Sequence, residues 1–225
     1  MFQAPFAAVF DWDGVIINSE EYHRLGWERL AEEAGLPLPE GHFEKSFGRK
    51  NAEIIPDILA WSQDAREIEE LSFRKEEHYR TLVRERGVHA LPGVIPWLEA
   101  LQQAGVPCGV GSSAPRANIE LSLEMLGCAR FFRAVVTAED VQRGKPAPDV
   151  FLAVAARLAA PADRCVVFED ALVGLEAAQN AGMRRVAVAT TNPAERLRPF
   201  ADRVVARLDE LSVAELAGWF QPTRG

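Results

Sequence analysis

Short, almost continuously apolar segments recur along the chain, and most of them lead into a stretch with helical periodicity. A strand that is buried on both faces reads as an unbroken apolar run, whereas a half-exposed strand alternates apolar and polar residues. The segments that fit the buried pattern are 6–11, 106–113, 133–138, 164–170, 184–190 and 203–208. The pattern therefore predicts six buried strands.

Helical periodicity fills the intervals between these segments. The predicted helices cover about 93–104, 115–126, 148–159, 171–181 and 209–219. Gly105, Gly127 and Gly182 stand where the glycine that ends a helix is expected. Because strand and helix alternate, we expect an α/β fold, a doubly wound parallel sheet with helices on both faces.

Residues 18–91 interrupt this alternation and contain no convincing strand. The segments EEYHRLGWERLAEEAG and DAREIEELSFRKEEHYRTLVRERG place apolar residues at i, i+3 and i+4 with charges opposite, a pattern typical of amphipathic helices. We therefore predict a Rossmann-like core domain formed by residues 1–17 and 92–225. A small all-α cap domain, residues 18–91, is inserted after the first strand.

The composition is that of an ordinary globular protein, and it narrows the range of partners. The chain has 225 residues and a formal net charge of −8, which argues against nucleic acid or an anionic membrane as a partner. No apolar run reaches the roughly 18 residues of a membrane span, and the first residues lack the pattern of a signal peptide. Three separated cysteines without a CxxC motif indicate buried, reduced thiols. We expect a cytoplasmic monomer.

The first predicted strand ends in Asp11-Trp12-Asp13-Gly14. Side chains alternate along a strand, so Asp11 and Asp13 would emerge on the same side. Two carboxylates that close repel each other unless a cation lies between them. A turn or a helix cap is the alternative interpretation of this motif on its own.

A second apolar strand also ends on acids, Glu169 and Asp170, directly before a helix. Asp170 alone would suit a helix N-cap. Two strands that both end on carboxylates favour a shared cation, because the carboxyl ends of parallel strands lie at one edge of the sheet. Oxygen ligands without a nearby cysteine or an HxxxH pattern favour Mg²⁺ over zinc. The sequence therefore predicts a Mg²⁺ site at Asp11, Asp13 and Asp170.

Two further clusters supply hydrogen-bond donors for an anion. Ser112 and Ser113 end the second strand in GVGSSAPRAN, where a serine caps a helix, binds phosphate, or does both. Lys145, in RGKPAPDVF, is flanked by a glycine and a proline, and Pro146 and Pro148 restrict the backbone around it, although a solvated lysine is the alternative. A metal, a lysine and a hydroxyl that converge on one phosphate favour phosphoryl transfer. The absence of a GxxxxGKS loop from the sequence argues against a nucleotide-triphosphate motor.

The four clusters, in this order, resemble the four motifs of the haloacid dehalogenase-like superfamily: FDWDGV, GSSAP, GKPAPDVF and FEDALVGLEAA. More narrowly, the chain is similar to the branch of β-phosphoglucomutases and sugar phosphatases, whose helical cap lies between the first two motifs. The resemblance implies that Asp11 is a nucleophile that forms an aspartyl-phosphate. It implies that Asp13 is a general acid and base whose backbone carbonyl reaches the metal.

The same resemblance implies roles for the later motifs. Asp170 would complete the protein's metal ligands with Glu169 in support, while Ser112 and Lys145 would hold the transferring phosphoryl group. The candidates for contacts to the substrate are Gly14, Ser113, Arg116, His23, Arg49 and Lys75. The last three match basic positions of the mutase cap, although exposed charges on amphipathic helices are the alternative. Arg116 stands near the position of a mutase lysine that this chain lacks.

We therefore expect a Mg²⁺-dependent phosphatase that acts on small phosphorylated metabolites, particularly sugar or polyol phosphates. A mutase of the β-phosphoglucomutase type is the main alternative, because the same core residues serve both reactions. A non-catalytic protein on this fold is a second alternative, which the intact aspartates and lysine oppose.

Overall fold

A computed structural model describes residues 2–46 and 48–221. Within those ranges the six predicted strands are present, all parallel, in the spatial order β3-β2-β1-β4-β5-β6. They are β1 Ala7–Phe10, β2 Cys108–Gly111, β3 Phe132–Val136, β4 Cys165–Glu169, β5 Arg184–Val188 and β6 Arg203–Val205. The predicted doubly wound α/β fold is confirmed. Each strand ends before its predicted segment does, because the last residues leave the sheet to form loops at its carboxyl edge.

Helices connect these strands and fill the interval between β1 and β2. The α-helices are α1 Glu20–Ala34, α2 His42–Ser46, α3 Asn51–Glu53, α4 Ala65–Arg86, α5 Val94–Gln103, α6 Arg116–Leu126, α7 Asp149–Arg157, α8 Leu172–Asn180, α9 Ala194–Leu197 and α10 Val213–Gly218. A π-helical segment, Ile54–Leu59, continues α3. The sequence pattern did not predict α9, which is too short to show helical periodicity.

The predicted helix at 209–219 is divided into two pieces. A 3₁₀ turn covers Leu208–Glu210, and α10 begins after Ser212. The Ser212 hydroxyl accepts a hydrogen bond from the backbone N–H of Glu215 at 3.1 Å. This side-chain cap satisfies an N–H at the start of α10, and it fixes where the helix begins.

The sheet is buried on both faces, and β1 divides its side chains between two hydrophobic layers. Ala8 and Phe10 pack with residues of α5 and α6 on one face. Ala7 and Val9 pack with residues of α7 and α8 on the other. Because successive side chains of a strand point to opposite faces, a wholly apolar strand is needed here.

The helices between β1 and β2 have a hydrophobic cluster of their own. It is formed by Trp27, Leu30, Ile54, Ile55, Leu59 and Leu71. The two long helices of this region, α1 and α4, pack against each other. The start of α4 is capped by Asp64, whose side chain accepts hydrogen bonds from two backbone N–H groups, each at 3.0 Å. We call α1–α4 with the π-helical segment the cap.

Two further sequence expectations can be compared with the structure. In the described part of the chain, no helix combines the length and apolarity that crossing a membrane requires. Cys108, Cys128 and Cys165 are free and buried, as expected. Burial raises the pKa of the Cys108 thiol to about 12, so this side chain is an unreactive part of the core.

The close approach of α7 to β2 gives a test of the packing. A Cβ atom at Gly109 would lie 2.5 Å from Cγ1 of Val154. We therefore expect Gly109→Ala to lower the free energy of unfolding by about 1–3 kcal/mol, measured by urea denaturation. Gly218→Ala is the matched control, because its Cβ would meet no atom within 4 Å among the described residues. An equal loss in both variants would contradict this account of the packing.

Candidate active site

The carboxyl ends of β1 and β4 bring three acidic side chains together. Asp11 follows β1, Glu169 ends β4 and Asp170 follows it. Since β1 and β4 are neighbours in the sheet, one carboxylate oxygen from each residue lies within 4.8 Å of the others. All three residues are buried. The edge where strand order reverses, with β2 on one side of β1 and β4 on the other, is where open α/β sheets place their ligand sites.

The buried ammonium group of Lys145 compensates part of this negative charge. Its Nζ atom lies 2.8 Å from Oδ1 of Asp11 and 2.6 Å from Oε1 of Glu169. Burial would lower the pKa of Lys145, but the two carboxylates raise it above its usual value, so the side chain stays charged. The alternative of a solvated loop lysine is wrong for Lys145, because its side chain is inaccessible to solvent.

Glu169 and Asp170 are held in different ways. The second oxygen of Glu169, Oε2, accepts hydrogen bonds from the backbone N–H groups of Asp170 and Ala171, both at 2.7 Å. Asp170 accepts a hydrogen bond from Thr191 through Oδ2, whereas its buried Oδ1 has no partner among the described residues. Burial, Glu169 and Asp11 raise the pKa of Asp170 well above its usual value. The N-cap position of α8 belongs to Ala171, so Asp170 is not the cap residue.

An unpartnered buried carboxylate oxygen beside a second carboxylate fits a divalent cation, since buried oxygens otherwise find a donor. Gly14 leaves room at this position. A Cβ atom on Gly14 would lie 2.0 Å from Oδ2 of Asp170, and its φ of +77° is a conformation that other residues rarely adopt. Asp11, Glu169 and Asp170 are therefore the residues that could hold a metal.

Asp13 belongs to a different environment from Asp11. Its Oδ1 atom accepts a hydrogen bond from the Ser19 hydroxyl at 2.5 Å and lies 3.4 Å from Nε2 of His23. The ammonium group of Lys75 lies 2.6 Å from Nδ1 of His23. Because an ammonium group only donates, Nδ1 accepts and Nε2 carries the proton that faces Asp13. Burial alone would raise the pKa of Asp13, but the donors His23 and Ser19 lower it below its usual value.

A buried polar network continues from Lys75 into the core domain. Lys75 Nζ donates to Oε1 of Glu76 at 2.8 Å, and Oε2 of Glu76 accepts from Nδ2 of Asn118 in α6 at 2.5 Å. Asn118 Oδ1 in turn accepts from Arg80 at 2.9 Å. Lys50 of the cap donates to the backbone carbonyls of Ala138 and Val141 at 2.7 and 2.8 Å. The cap is therefore fastened to the core by hydrogen bonds on α4 and at Lys50.

Ser112 and Ser113 lie on the wall opposite the cap. Ser112 is buried, and its hydroxyl accepts the backbone N–H of Ala114 at 3.0 Å. The N-cap residue of α6 is Pro115, so neither serine is the cap residue of this helix. Both serines line one cavity of about 780 Å³ together with Asp11 and Asp13.

The structure brings most of the remaining candidates to this cavity, but not Gly14 or Arg116. Among the described residues, the cavity wall includes His23, Arg49 and Lys75 but not Arg116. The Arg116 guanidinium is paired with Asp140 at 2.5 Å, outside the cavity. The expectation that Arg116 replaces a substrate-binding lysine lacks support from this geometry, because a nearby acid already holds the side chain.

Sequence reasoning missed Ser19, Glu76 and Asn118 as parts of the site. A signal for Glu76 was present, because Lys75, Glu76 and Arg80 interrupt the face of α4 that Leu71, Tyr79, Leu82 and Val83 bury. Charged residues on a buried face require partners. The bulky ring of Trp12, between the two aspartates of the motif, packs in the core against Phe132. Asp11 and Asp13 on either side of it line the cavity.

A parallel α/β sheet with this acidic edge and an inserted helical cap defines a class of hydrolase. The family model described as haloacid dehalogenase-like hydrolase matches residues 8–188. The chain belongs to this family, as its motifs predicted.

The relatives of the chain include both phosphatases and a β-phosphoglucomutase. The chain is 35% identical over 212 residues to a chloroplastic 5-amino-6-(5-phospho-D-ribitylamino)uracil phosphatase of Arabidopsis thaliana; the match covers 93% of this chain and 56% of that protein. It is 35% identical to validoxylamine A 7'-phosphate phosphatase of Streptomyces hygroscopicus subsp. limoneus, over 91% and 94% of the two chains. A β-phosphoglucomutase structure from Clostridium difficile superposes with a TM-score of 0.83 at 27% identity, over 95% and 97%.

The buried Glu76 network leads to a stability prediction. Glu76→Ala would leave the Lys75 ammonium and the Asn118 amide buried without their acceptor, and we expect a loss of about 3–5 kcal/mol in the free energy of unfolding. Urea denaturation measures the loss. Glu85→Ala, near the end of α4, is the control, because Glu85 and its partner Arg29 are both exposed. We expect it to cost at most about 1 kcal/mol. A loss in Glu85→Ala as large as that in Glu76→Ala would contradict the importance of this network.

Proposed function

We propose that the chain is a monomeric, cytoplasmic, Mg²⁺-dependent phosphatase that hydrolyses small phosphorylated metabolites through an aspartyl-phosphate on Asp11. The proposal rests above all on Lys145, which lies between Asp11 and Glu169 beside an Asp170 oxygen that lacks a partner in the described chain. This arrangement offers a carboxylate nucleophile, a fixed positive charge and oxygen ligands for a hard cation at one point.

In the first step, a carboxylate oxygen of Asp11 would attack the phosphorus atom while the bond to the leaving oxygen breaks. Lys145 and the Ser112 hydroxyl would hold the oxygens of the transferring group, and Asp13 would give its proton to the leaving alcohol. In the second step, Asp13 would take a proton from water as the water oxygen attacks phosphorus. The bond to Asp11 then breaks, which gives inorganic phosphate. Mg²⁺ held by Asp11 and Asp170, with the backbone carbonyl of Asp13 as a further ligand, would supply positive charge to the phosphoryl group.

Asp13 must carry a proton when the first step begins, although His23 and Ser19 favour its ionised form in the free site. A dianionic phosphate that enters the cavity raises the pKa of a nearby carboxyl group, because like charges disfavour ionisation. Substrate binding would therefore prepare Asp13 to act as an acid. Ser19 and His23 would keep its oxygen directed to the cavity.

We assign residues 18–91 as a cap domain that selects the substrate, with residues 1–17 and 92–225 as the catalytic core. His23, Arg49 and Lys75 would contact the part of the substrate beyond the phosphate, and Gly14 and Ser113 would approach the phosphoryl group from the core. All except Gly14 line the same cavity as Asp11. Gly14 lies against Asp170 instead. Closure of the cap would exclude bulk water from this cavity.

Hydrolysis is favoured over mutase chemistry by the cations of the cap. A mutase must hold a sugar bisphosphate, whose second phosphate needs positive charge at the cap end. Lys75 is already paired with Glu76 and Arg80 with Glu77, which leaves Arg49 as the candidate cap cation for a second phosphate. The similarity to a β-phosphoglucomutase structure keeps the mutase as the second candidate function.

A phosphate-release screen over sugar and polyol phosphates with Mg²⁺ tests the proposal. We expect release of inorganic phosphate without a primer. Asp11→Asn should lower kcat by at least about a thousandfold while leaving the melting temperature near that of the wild type, because it removes the nucleophile and little volume. Asp57→Asn, at an exposed position in the cap, is the control and should keep full activity.

Two results would count against the phosphatase. One is isomerisation of glucose 1-phosphate that depends on glucose 1,6-bisphosphate, without net phosphate release from any compound; this would assign the mutase. The other is wild-type turnover by Asp11→Asn, which would remove Asp11 from its role as nucleophile.

The metal site can be tested without measuring turnover. We expect Mg²⁺ to raise the melting temperature of the protein, since a cation at 100 times its Kd adds about 2.7 kcal/mol to the folded state. Asp170→Asn should abolish this shift without lowering stability in EDTA, because it removes an unpaired buried charge. Differential scanning calorimetry with Mg²⁺, Mn²⁺ or EDTA measures both effects. An unchanged Mg²⁺ shift in Asp170→Asn would show that the cation binds elsewhere.

A further inference from the structure

The wall that α4 contributes to the cavity changes in polarity along the helix. The residues of this wall, spaced by about three or four positions, are Ala65, Ile68, Glu69, Ser72, Phe73, Lys75, Glu76 and Arg80. Lys75, Glu76 and Arg80 lie in the half of α4 that faces His23 and the core residue Asn118. Ile68 and Phe73 lie in the other half, which also contributes Ala65 and the polar residues Glu69 and Ser72. At 1.5 Å per residue, Ile68 and Arg80 are about 18 Å apart along the helix axis.

Other cap residues extend the apolar part of this wall. Trp27 and Ile54 belong to the hydrophobic cluster of the cap and also line the cavity. Phe73 is 64% exposed, the most exposed of the large apolar side chains in the described chain. We call Trp27, Ile54, Ile68 and Phe73 the apolar wall. This apolar surface of the cavity takes no part in the proposed chemistry at Asp11.

The size of the cavity also exceeds what the phosphoryl chemistry requires. A volume of about 780 Å³ lies within the range of sites that enclose a drug-sized ligand. Water gains little from contact with an apolar wall, whereas an apolar ligand group that covers it is stabilised by removing both surfaces from water. A ligand with a phosphate at one end and an apolar group at the other matches both ends of this cavity.

Building on the proposed phosphatase function, we propose that the substrate is a phosphomonoester whose alcohol carries an apolar group at the end remote from the phosphate. The apolar wall holds this group while Asp11, Ser112 and Lys145 hold the phosphate. Phe73 and Ile68 contact this group from opposite edges of the α4 surface that lines the cavity, since positions five apart on a helix lie about 140° apart around its axis. Specificity therefore depends on the N-terminal half of α4.

A pair of synthetic probes separates this inference from the proposed function. 4-Phenylbutyl phosphate and 4-hydroxybutyl phosphate carry the same phosphate on the same four-carbon chain, and they differ at the distal end. We expect the wild-type protein to favour the phenyl compound in kcat/KM by about tenfold or more, because burial of several carbon atoms discriminates by at least that factor. Phosphate release under identical Mg²⁺ conditions measures the ratio.

Variants then locate the preference. Phe73→Ala should reduce the ratio of the two kcat/KM values about tenfold, and Ile68→Thr should reduce it in the same direction. Phe200→Ala is the matched control, since Phe200 is an exposed phenylalanine outside the cavity wall and should keep the wild-type ratio. Melting temperatures of all three identify a variant that fails to fold. A ratio unaffected by both cavity variants would overturn the inference.

The remaining outcomes also decide between the two proposals. If both probes release phosphate at equal kcat/KM, the phosphatase stands and the apolar group is rejected. If no phosphomonoester is hydrolysed, the proposed function fails, and calorimetric binding of the two probes to Asp11→Asn tests the wall by itself. Tighter binding of the phenyl compound by about tenfold would support the apolar wall as a ligand site, and equal Kd values would overturn it.

Discussion

The burial of the Lys145 ammonium group between Asp11 and Glu169 is the constraint on which the active site depends. Burying an unpaired charge is strongly unfavourable, so this lysine fixes the positions of the carboxylates that approach it. Glu169 has a hydrogen-bond partner on each oxygen, whereas Asp170 keeps an oxygen without a partner among the described residues. The carboxylates of Asp11 and Asp170 are therefore the ones available to a cation. Three segments distant in sequence meet here because β1 and β4 are adjacent and the loop before α7 crosses their ends.

The same edge of the sheet gives two nearby aspartates opposite properties. Burial raises the pKa of Asp11, and Lys145 offsets part of that increase. The donors His23 and Ser19 lower the pKa of Asp13. Two carboxyl groups whose pKa values are shifted in opposite directions by their surroundings commonly have separate roles in one site. His23 on helix α1 and Ser19 just before it provide the environment of Asp13, so the start of the cap sets the electrostatics of this carboxyl group.

The core and the cap contribute different parts of the site, which explains why both phosphatases and mutases resemble this chain. The core supplies the charge cluster that any phosphoryl transfer needs, whereas α4 supplies both a charged and an apolar wall. Its charged part is bound to the core through Asn118, so the position of the cap and the arrangement around Asp13 are physically connected. Differences among relatives can then accumulate in the cap without disturbing Lys145 and its partners.

Local sequence patterns were enough to predict the six strands and the helical insert, and to single out Asp11, Ser112, Lys145 and Asp170 as candidates for the site. Strands and helices follow from local patterns, because an unbroken apolar run marks a strand buried on both faces and the polar residues after it mark where the chain leaves the sheet. Tertiary structure alone decided the pairing of Glu76 with Asn118, 42 positions away, and that of Arg116 with Asp140. An exposed or helical charge has many partners within reach of its side chain, and the packing of α4 and α6 selects one of them.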